Sequence, residues 1–174
     1  MAENQGVPDE LRLFLALWPP KDVLSLLVAN AESWQWNAEA KRTRAERLHV
    51  TLHFIGNVPA QRLPDVREGL RVEWPGDELL LDAATVWRGG IAVLEASRVP
   101  PAMTALQQAL AERLRALDLP VETRPWRPHV TLARKAFGAK PPTFAPLRWP
   151  AGPGYALVRT LGGGRGYETL QAFG

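Results

Sequence analysis

Two of the three histidines in this sequence head the same tetrapeptide, His49-Val50-Thr51-Leu52 and His129-Val130-Thr131-Leu132. Side chains alternate across a strand, so residues i and i+2 share a face. Each copy would therefore present an imidazole and a hydroxyl on one side and send Val and Leu into apolar packing. If the two strands flank one cleft, two imidazoles and two hydroxyls converge on a small volume. That set suits a tetrahedral phosphate: a base, an acid and two neutral donors for the non-bridging oxygens. Imidazole, with an ordinary pKa of about 6.5, can fill either role near neutrality. Hydrolysis of a cyclic phosphodiester needs both at once, one to take a proton from water and one to give a proton to the departing ribose oxygen. The limbs of the resulting bell-shaped pH profile belong to the coupled pair. A single His-x-Thr on a strand is ordinarily a polar outer face, but duplication in a histidine-poor chain points to chemistry. No metal or other cofactor is expected: there is no HExxH, no cysteine, and no carboxylate spacing that reads as a ligand set.

Positioning the two copies needs a framework of strands. Leu11 to Trp18 is apolar almost throughout and stops at Pro19-Pro20, which reads as a buried strand. An amphipathic helix over 20–33 follows, then a basic stretch with Lys41, Arg42, Arg44 and Arg47. Leu48 to Ile55 alternates and should end in a turn at Gly56-Asn57. A second helix is expected over 60–72 with Pro64 near its first turn. Leu79–Trp87 and Ile91–Ala96, joined by Arg88-Gly89-Gly90, read as a hairpin. Pro101 opens a helix to about Asp118 with Met103, Leu106, Leu110, Leu114 and Leu117 on one stripe. Val121 onward is extended, His129 to Arg134 alternates, and short strands are expected at 144–149, 154–160 and 167–173. Antiparallel hairpins with a few helices make an α+β fold. The repeat adds two related lobes facing one another.

Composition bounds the rest. A chain of 174 residues, 46% apolar and 22% charged, fits one globular domain, read as a mobile tail over 1–10 and a single domain over 11–174. The absence of cysteine removes disulfides and thiol nucleophiles and agrees with a reducing cytoplasm. Four of the 21 cationic side chains are lysines, and the other 17 are arginines, whose planar fork suits phosphate. A genome rich in G and C would produce the same bias. The run Leu13 to Trp18 is too short to span a bilayer, so no membrane association is expected.

RLFLALWPP, HVTLHFIGNV and RPWRPHVTLAR together resemble the two-histidine (2H) phosphoesterase superfamily, and within it the bacterial and archaeal RNA 2',3'-cyclic phosphodiesterase branch, also named 2'-5' RNA ligase. The similarity runs from Arg12 to Phe173. It implies a bilobal fold of two antiparallel sheets with flanking helices, in pseudo-twofold arrangement around a central cleft. It also implies that a 2',3'-cyclic phosphate at an RNA end is opened to a 2'-phosphomonoester, with His49 as proton donor to the 3' oxygen and His129 as proton acceptor from water. Thr51 and Thr131 match the phosphate-binding threonines. Members also join tRNA halves through a 2'-5' linkage, so tRNA fragments are candidate partners. Related chains commonly carry a serine near the C-terminus, where this one has Val158-Arg159-Thr160. Other small cyclic or 2'-5' linked nucleotides, or RNA-end binding without turnover, are the alternative functions.

Several further residues have two readings each. Strict alternation puts Ala133 on the face of His129 and Thr131, yet a bulge could bring Arg134 to phosphate instead of leaving it solvated. Trp126 and Phe54 could each stack on a base; Phe54 alternates away from His49 and so reads as core, which leaves Trp126, in a Pro-flanked segment, the better candidate. His53 alternates onto the face of His49, as a solvated strand residue or a cleft rim. Arg12 must find a partner or sit at a strand end. Arg42, Arg44 and Arg47 either form a solvated loop or steer an RNA backbone. Gly162 to Gly164 with Gly166 reads as a flexible turn, since no P-loop Lys-Ser/Thr follows. Small size and internal symmetry suggest a monomer.

Overall fold

The computed structural model describes residue 6 and residues 8–174. The expected tail over 1–10 therefore lies largely outside the described residues, and Glu10 already belongs to the first strand. In chain order the elements are β1 (Glu10–Leu17), α1 (Lys21–Glu32), β2 (Lys41–Arg42), a 3-10 turn (Ala45–Arg47), β3 (Val50–Pro59), a second 3-10 turn (Ala60–Arg62), α2 (Leu63–Gly69), β4 (Asp77–Leu81), β5 (Ala83–Trp87), β6 (Ile91–Glu95), α3 (Pro101–Ala116), β7 (His129–Arg134), β8 (Leu147–Ala151), β9 (Tyr155–Leu161) and β10 (Gly166–Phe173). Among the described residues no helix is long and apolar enough to cross a membrane.

The fold is α+β with two antiparallel sheets. The larger has the order β10-β9-β1-β3-β7-β6-β5, with β2 on the edge of β7, and the smaller is the pair β4-β8. The large sheet thus runs through both halves of the molecule. The first half contributes β1, β3, β9 and β10, and the second β2, β5, β6 and β7. The two halves join at one residue pair, Val50 against Val130. Both valines are fully buried, as are Leu13, Leu15, Leu52, Leu94 and Leu132, so one continuous apolar core lies beneath the join. On α3, Met103, Leu106, Leu110 and Leu114 form the buried stripe expected from their spacing. Helix α1 packs on β8, and α3 packs on β3 and β4.

Three local expectations are corrected. Gly56-Asn57 is not a turn: β3 continues to Pro59, and pairing with β1 steps from Leu13↔Gly56 to Phe14↔Phe54, leaving Ile55 as an extra residue. Gly56 has φ of 88°, a conformation glycine adopts without strain, so its signal was that of a bulge. The strand expected over Leu79–Trp87 breaks at Asp82, whose carboxylate accepts from the Ser97 backbone N–H at 2.8 Å. That break lets β4 pair with β8 while β5 pairs with β6. Third, β3 and β1 slip register again, between Ala16↔Thr51 and Leu15↔His53, which makes Leu52 the extra residue. Beyond it the alternation inverts.

As a result His53 and Phe54 exchange their expected faces. His53 is 3% exposed and its Nε2 donates to the Gln107 carbonyl of α3 at 2.7 Å, while Phe54 is 65% exposed and faces the cleft. Burial holds the His53 pKa below 6.5; the Gln107 bond opposes this and the Arg115 charge adds to it. A histidine with a depressed native pKa takes up its proton on unfolding. The stability it supports is complete above about pH 6.5 and is lost as pH falls through that value toward the native pKa. The substitution His53→Gln keeps an N–H for Gln107 but cannot titrate. Urea unfolding of this variant should show a smaller drop in midpoint from pH 7 to pH 5 than the parent shows. Equal drops would acquit His53.

Candidate active site

The site follows from the Val50–Val130 pair. Continuing an antiparallel register one residue each way sets His49 opposite Thr131 and Thr51 opposite His129, all on the face that Val50 and Val130 avoid. These four side chains line one cleft of about 590 Å3, together with Arg12, Phe54, Trp87, Arg134, Thr160 and Tyr167, among others. A second bulge, between Val93↔Thr131 and Ala92↔Ala133, makes Leu132 the extra residue of β7. This is the position that Leu52 holds in the first copy. It buries Ala133 and turns Arg134 to the cleft, the second of its two expected outcomes. Arg12, at the solvent side of β1, and Thr160, from the Val158-Arg159-Thr160 segment, reach the same space.

Both imidazoles are clamped in the same way. Nδ1 of His49 lies 2.6 Å from the Arg47 carbonyl oxygen, and Nδ1 of His129 lies 2.7 Å from that of Arg127. A carbonyl can only accept, so each Nδ1 carries the proton and each Nε2 is left to exchange protons. Nε2 of His49 sits 3.0 Å from Thr51 Oγ1. Each clamp comes from the residue two positions earlier, so the arginine-bearing segments before the repeats supply the orienting carbonyls.

The surroundings differ. His49 stands among Phe14, Trp18 and Tyr167, with ring centroids at 5.1, 5.2 and 5.4 Å. Burial there lowers its pKa; the Arg47 carbonyl pulls the other way, and a charge on His129 lowers it further. His129 lies 4.4 Å from Trp87, whose ring also carries the Arg127 guanidinium at 4.5 Å. Arg127 donates to Glu95 at 2.8 Å, and Glu95 is the cross-strand partner of His129. Burial again lowers the pKa. The Arg127 carbonyl and Glu95 raise it, and the charges of Arg127 and Arg134 lower it. Among the described residues no three His, Asp or Glu side chains converge where a metal could be held.

Trp126 does not reach the cleft. Its Nε1 donates to the Thr51 carbonyl at 3.0 Å and the ring packs on the core, so the indole braces the strand from outside. The aromatic groups the cleft does contain are Phe14, Phe54, Trp87 and Tyr167. Phe54 was placed in the core by strict alternation; Phe14, Trp87, Tyr167 and Glu95 were missed because cross-strand neighbours have no signature in local spacing. A larger cavity, about 1100 Å3, lies elsewhere, lined by Arg71, Trp74, Arg113 and Phe173 among others. It has no histidine and no hydroxyl pair, so chemistry and not size selects the site.

The sequence model of the 2'-5' RNA ligase superfamily matches residues 23–149, which include both tetrapeptides. The chain belongs to this superfamily. It is 30% identical over 181 residues to an RNA 2',3'-cyclic phosphodiesterase of Thermus thermophilus, covering 94% of this chain and 89% of that protein. It is 31% identical over 140 residues to the Escherichia coli protein of the same name, covering 76% and 78%. The structure of E. coli LigT in apo form superposes with a TM-score of 0.77 at 26% identity, over 95% of this chain and 97% of that one. In this member of the superfamily Glu95 tunes the second histidine. Replacing it, Glu95→Gln, removes a charge that raises the His129 pKa, so the imidazole should titrate at lower pH when followed by proton NMR, with His49 little changed. An unmoved His129 would show that Glu95 acts only on Arg127.

Proposed function

We propose that the protein is a metal-independent RNA 2',3'-cyclic phosphodiesterase that opens the cyclic phosphate to a 2'-phosphomonoester. The observation that carries this reading is the convergence of two Nδ1-clamped imidazoles and two threonine hydroxyls on one face of the sheet. Two relatives bearing that enzyme's name support the substrate class. His129 Nε2 takes a proton from water as its oxygen bonds to phosphorus. The bond from phosphorus to the 3' oxygen breaks, and His49 Nε2–H delivers a proton to that oxygen. Thr51 and Thr131 hold the non-bridging oxygens, and Arg134 adds charge where negative charge gathers. A 5'-hydroxyl in place of water would give a 2'-5' linkage by the same proton transfers. Both halves of the site come from one chain, which supports a monomer as the working unit. The cysteine-free composition agrees with a cytoplasmic enzyme acting on RNA ends such as tRNA fragments. A core continuous through both halves supports a single bilobal domain over 11–174.

The pH dependence follows from the free-enzyme shifts. Both histidines sit below 6.5. The acceptor must be neutral, so kcat/KM falls as pH drops through its pKa. The donor must be charged, so kcat/KM also falls as pH rises through its own. The maximum of kcat/KM is therefore expected below pH 6.5, whereas a maximum well above 7 would contradict the burial argument.

The deciding experiment offers a short RNA ending in a 2',3'-cyclic phosphate in excess EDTA and identifies the product isomer. A 2'-phosphate is expected. His49→Ala and His129→Ala should each cost about a hundred- to ten-thousandfold in turnover, and Thr51→Ala or Thr131→Ala about a hundredfold. Unchanged turnover in both histidine variants would sink the mechanism. A 3'-phosphate product would exchange the leaving oxygen, and dependence on metal would replace the acid–base pair altogether.

A further inference from the structure

The cleft does not end at His49. Arg47 and Tyr167 line it and also line a neighbouring groove of about 410 Å3, whose other walls include Arg44, Arg165, Trp18 and Glu46. Three guanidinium groups thus face one space against a single carboxylate. None of the three forms an ion pair among the described residues, whereas Arg71, Arg124, Arg127, Arg148 and Arg159 all do. Two other cavities are electrically balanced. One, of about 1100 Å3, sets Arg71 and Arg113 against Glu73 and Glu112, and another sets Arg115 and Arg124 against Glu112 and Glu122. The cationic excess is in the groove that opens onto the histidines.

The glycine-rich loop after β9 builds this groove. Arg47 Nη2 donates to the Gly164 carbonyl at 2.8 Å, and Arg165 Nε donates to that of Gly162 at 2.8 Å. Gly163, Gly164 and Gly166 have φ of 69°, 69° and 95°, and a Cβ on Gly166 would lie 3.1 Å from Arg47 Nε. The loop, expected from sequence only as a flexible turn, is tied down by Arg47 and carries Arg165 to the side of Arg44. Each of the two bonded arginines uses one donor on these carbonyls, leaving most of its fork for a ligand. Tyr167 is 38% exposed and is held edge-on to Phe14 at 5.0 Å and His49 at 5.4 Å. Trp18 stands behind it. Cations interleaved with aromatic rings along a groove are how single-stranded nucleic acid is held without reading its sequence.

We propose that this groove binds the nucleotides immediately 5' of the reacting terminus, with Arg44, Arg47 and Arg165 on the backbone phosphates and Tyr167 against a base. The inference rests on the cyclic phosphodiesterase reading. A nucleotide whose 2' and 3' oxygens are closed in a ring can extend only in the 5' direction, and a cleft of about 590 Å3 already accommodates one nucleotide. The enzyme is then built for RNA ends, and a cyclic mononucleotide fills only part of its site.

The test compares equilibrium binding of a trinucleotide ending in a 2'-phosphate with that of a nucleoside 2'-phosphate, by calorimetry at two salt concentrations. The parent protein and the double variant Arg44→Ala with Arg165→Ala are measured side by side. Both side chains are exposed, and Arg47 is left in place because it anchors the loop. The parent should bind the trinucleotide about tenfold or more tightly, with a salt slope steeper by about 0.7 for each added phosphate contact. The double variant should lose most of that advantage and the extra slope. Equal affinity for the two ligands in the parent, or an undiminished advantage in the variant, overturns the proposal. Turnover of the matching cyclic-phosphate substrates by the parent is followed in parallel. Its absence would refute the phosphodiesterase reading, while the length dependence of binding still decides on the groove.

Discussion

In an antiparallel pair the register decides which side chains meet, and here one buried pair, Val50 against Val130, decides it for the whole site. These are equivalent positions of a repeated tetrapeptide, so pairing them creates a local twofold axis between the strands. Histidine of one copy then faces threonine of the other, twice. A slip of one residue in either strand would send that copy's histidine and threonine into the apolar core and bring its valine, Val50 or Val130, to the surface. The burial of both valines and of Leu52 and Leu132 is what prevents it. The symmetry extends to the irregularities, since each copy is bulged at its leucine, against β1 in one half and β6 in the other. Past the bulges the two strands no longer pair, and the cleft occupies the gap.

An acid and a base are needed, yet the two motifs are identical, and so are the carbonyl clamps on Nδ1. Any difference between the imidazoles has to come from neighbours supplied by other strands. Phe14, Trp18 and Tyr167 give His49 an apolar wall, which disfavours charge. His129 has Glu95 across the ladder, opposed by Arg127 and Arg134. Burial dominates at both, so in the free site each imidazole favours its neutral form. An arriving phosphate supplies the negative charge that favours protonation of one of the pair. Division of labour is therefore a property of the loaded cleft more than of the empty one.

Much of this was legible in the chain because strands write their period locally. The alternation of β3 predicted that His49 and Thr51 share a face, and the doubled tetrapeptide predicted a second such face. The same rule misplaced His53 and Phe54, two residues further on, because a bulge at Leu52 depends on how β1 pairs, and that pairing is not written in β3. Arg134 shows the converse: local alternation pointed it away, and the bulge at Leu132 brought it in. Gly56-Asn57 has the composition of a hairpin turn, but its strand had a partner long enough to carry it through. Trp126 looked available in an irregular segment, and its indole N–H found the Thr51 carbonyl instead. Glu95 and Tyr167 were invisible for the same reason. Each matters through a neighbour on another strand.

The two residues brought to the cleft by the bulges occupy equivalent positions of the repeat but are chemically unlike: Phe54 from the first copy, Arg134 from the second. A doubly esterified phosphate has close to twofold symmetry of its own, with two ester oxygens and two non-bridging oxygens. A dyad-related set of two imidazoles and two hydroxyls matches that part of the substrate without needing any further specialisation. The remainder of a nucleotide has no such symmetry, since a flat base leaves from one side and a charged chain from the other. A pseudo-symmetric scaffold can favour one orientation only by breaking its symmetry outside the phosphate position. Here the departures are an aromatic ring against a guanidinium at the bulges, and an arginine-lined groove on the His49 side. In the proposed reaction it is these departures, and not the repeated motif, that determine which ester oxygen lies beside His49 and hence which bond breaks.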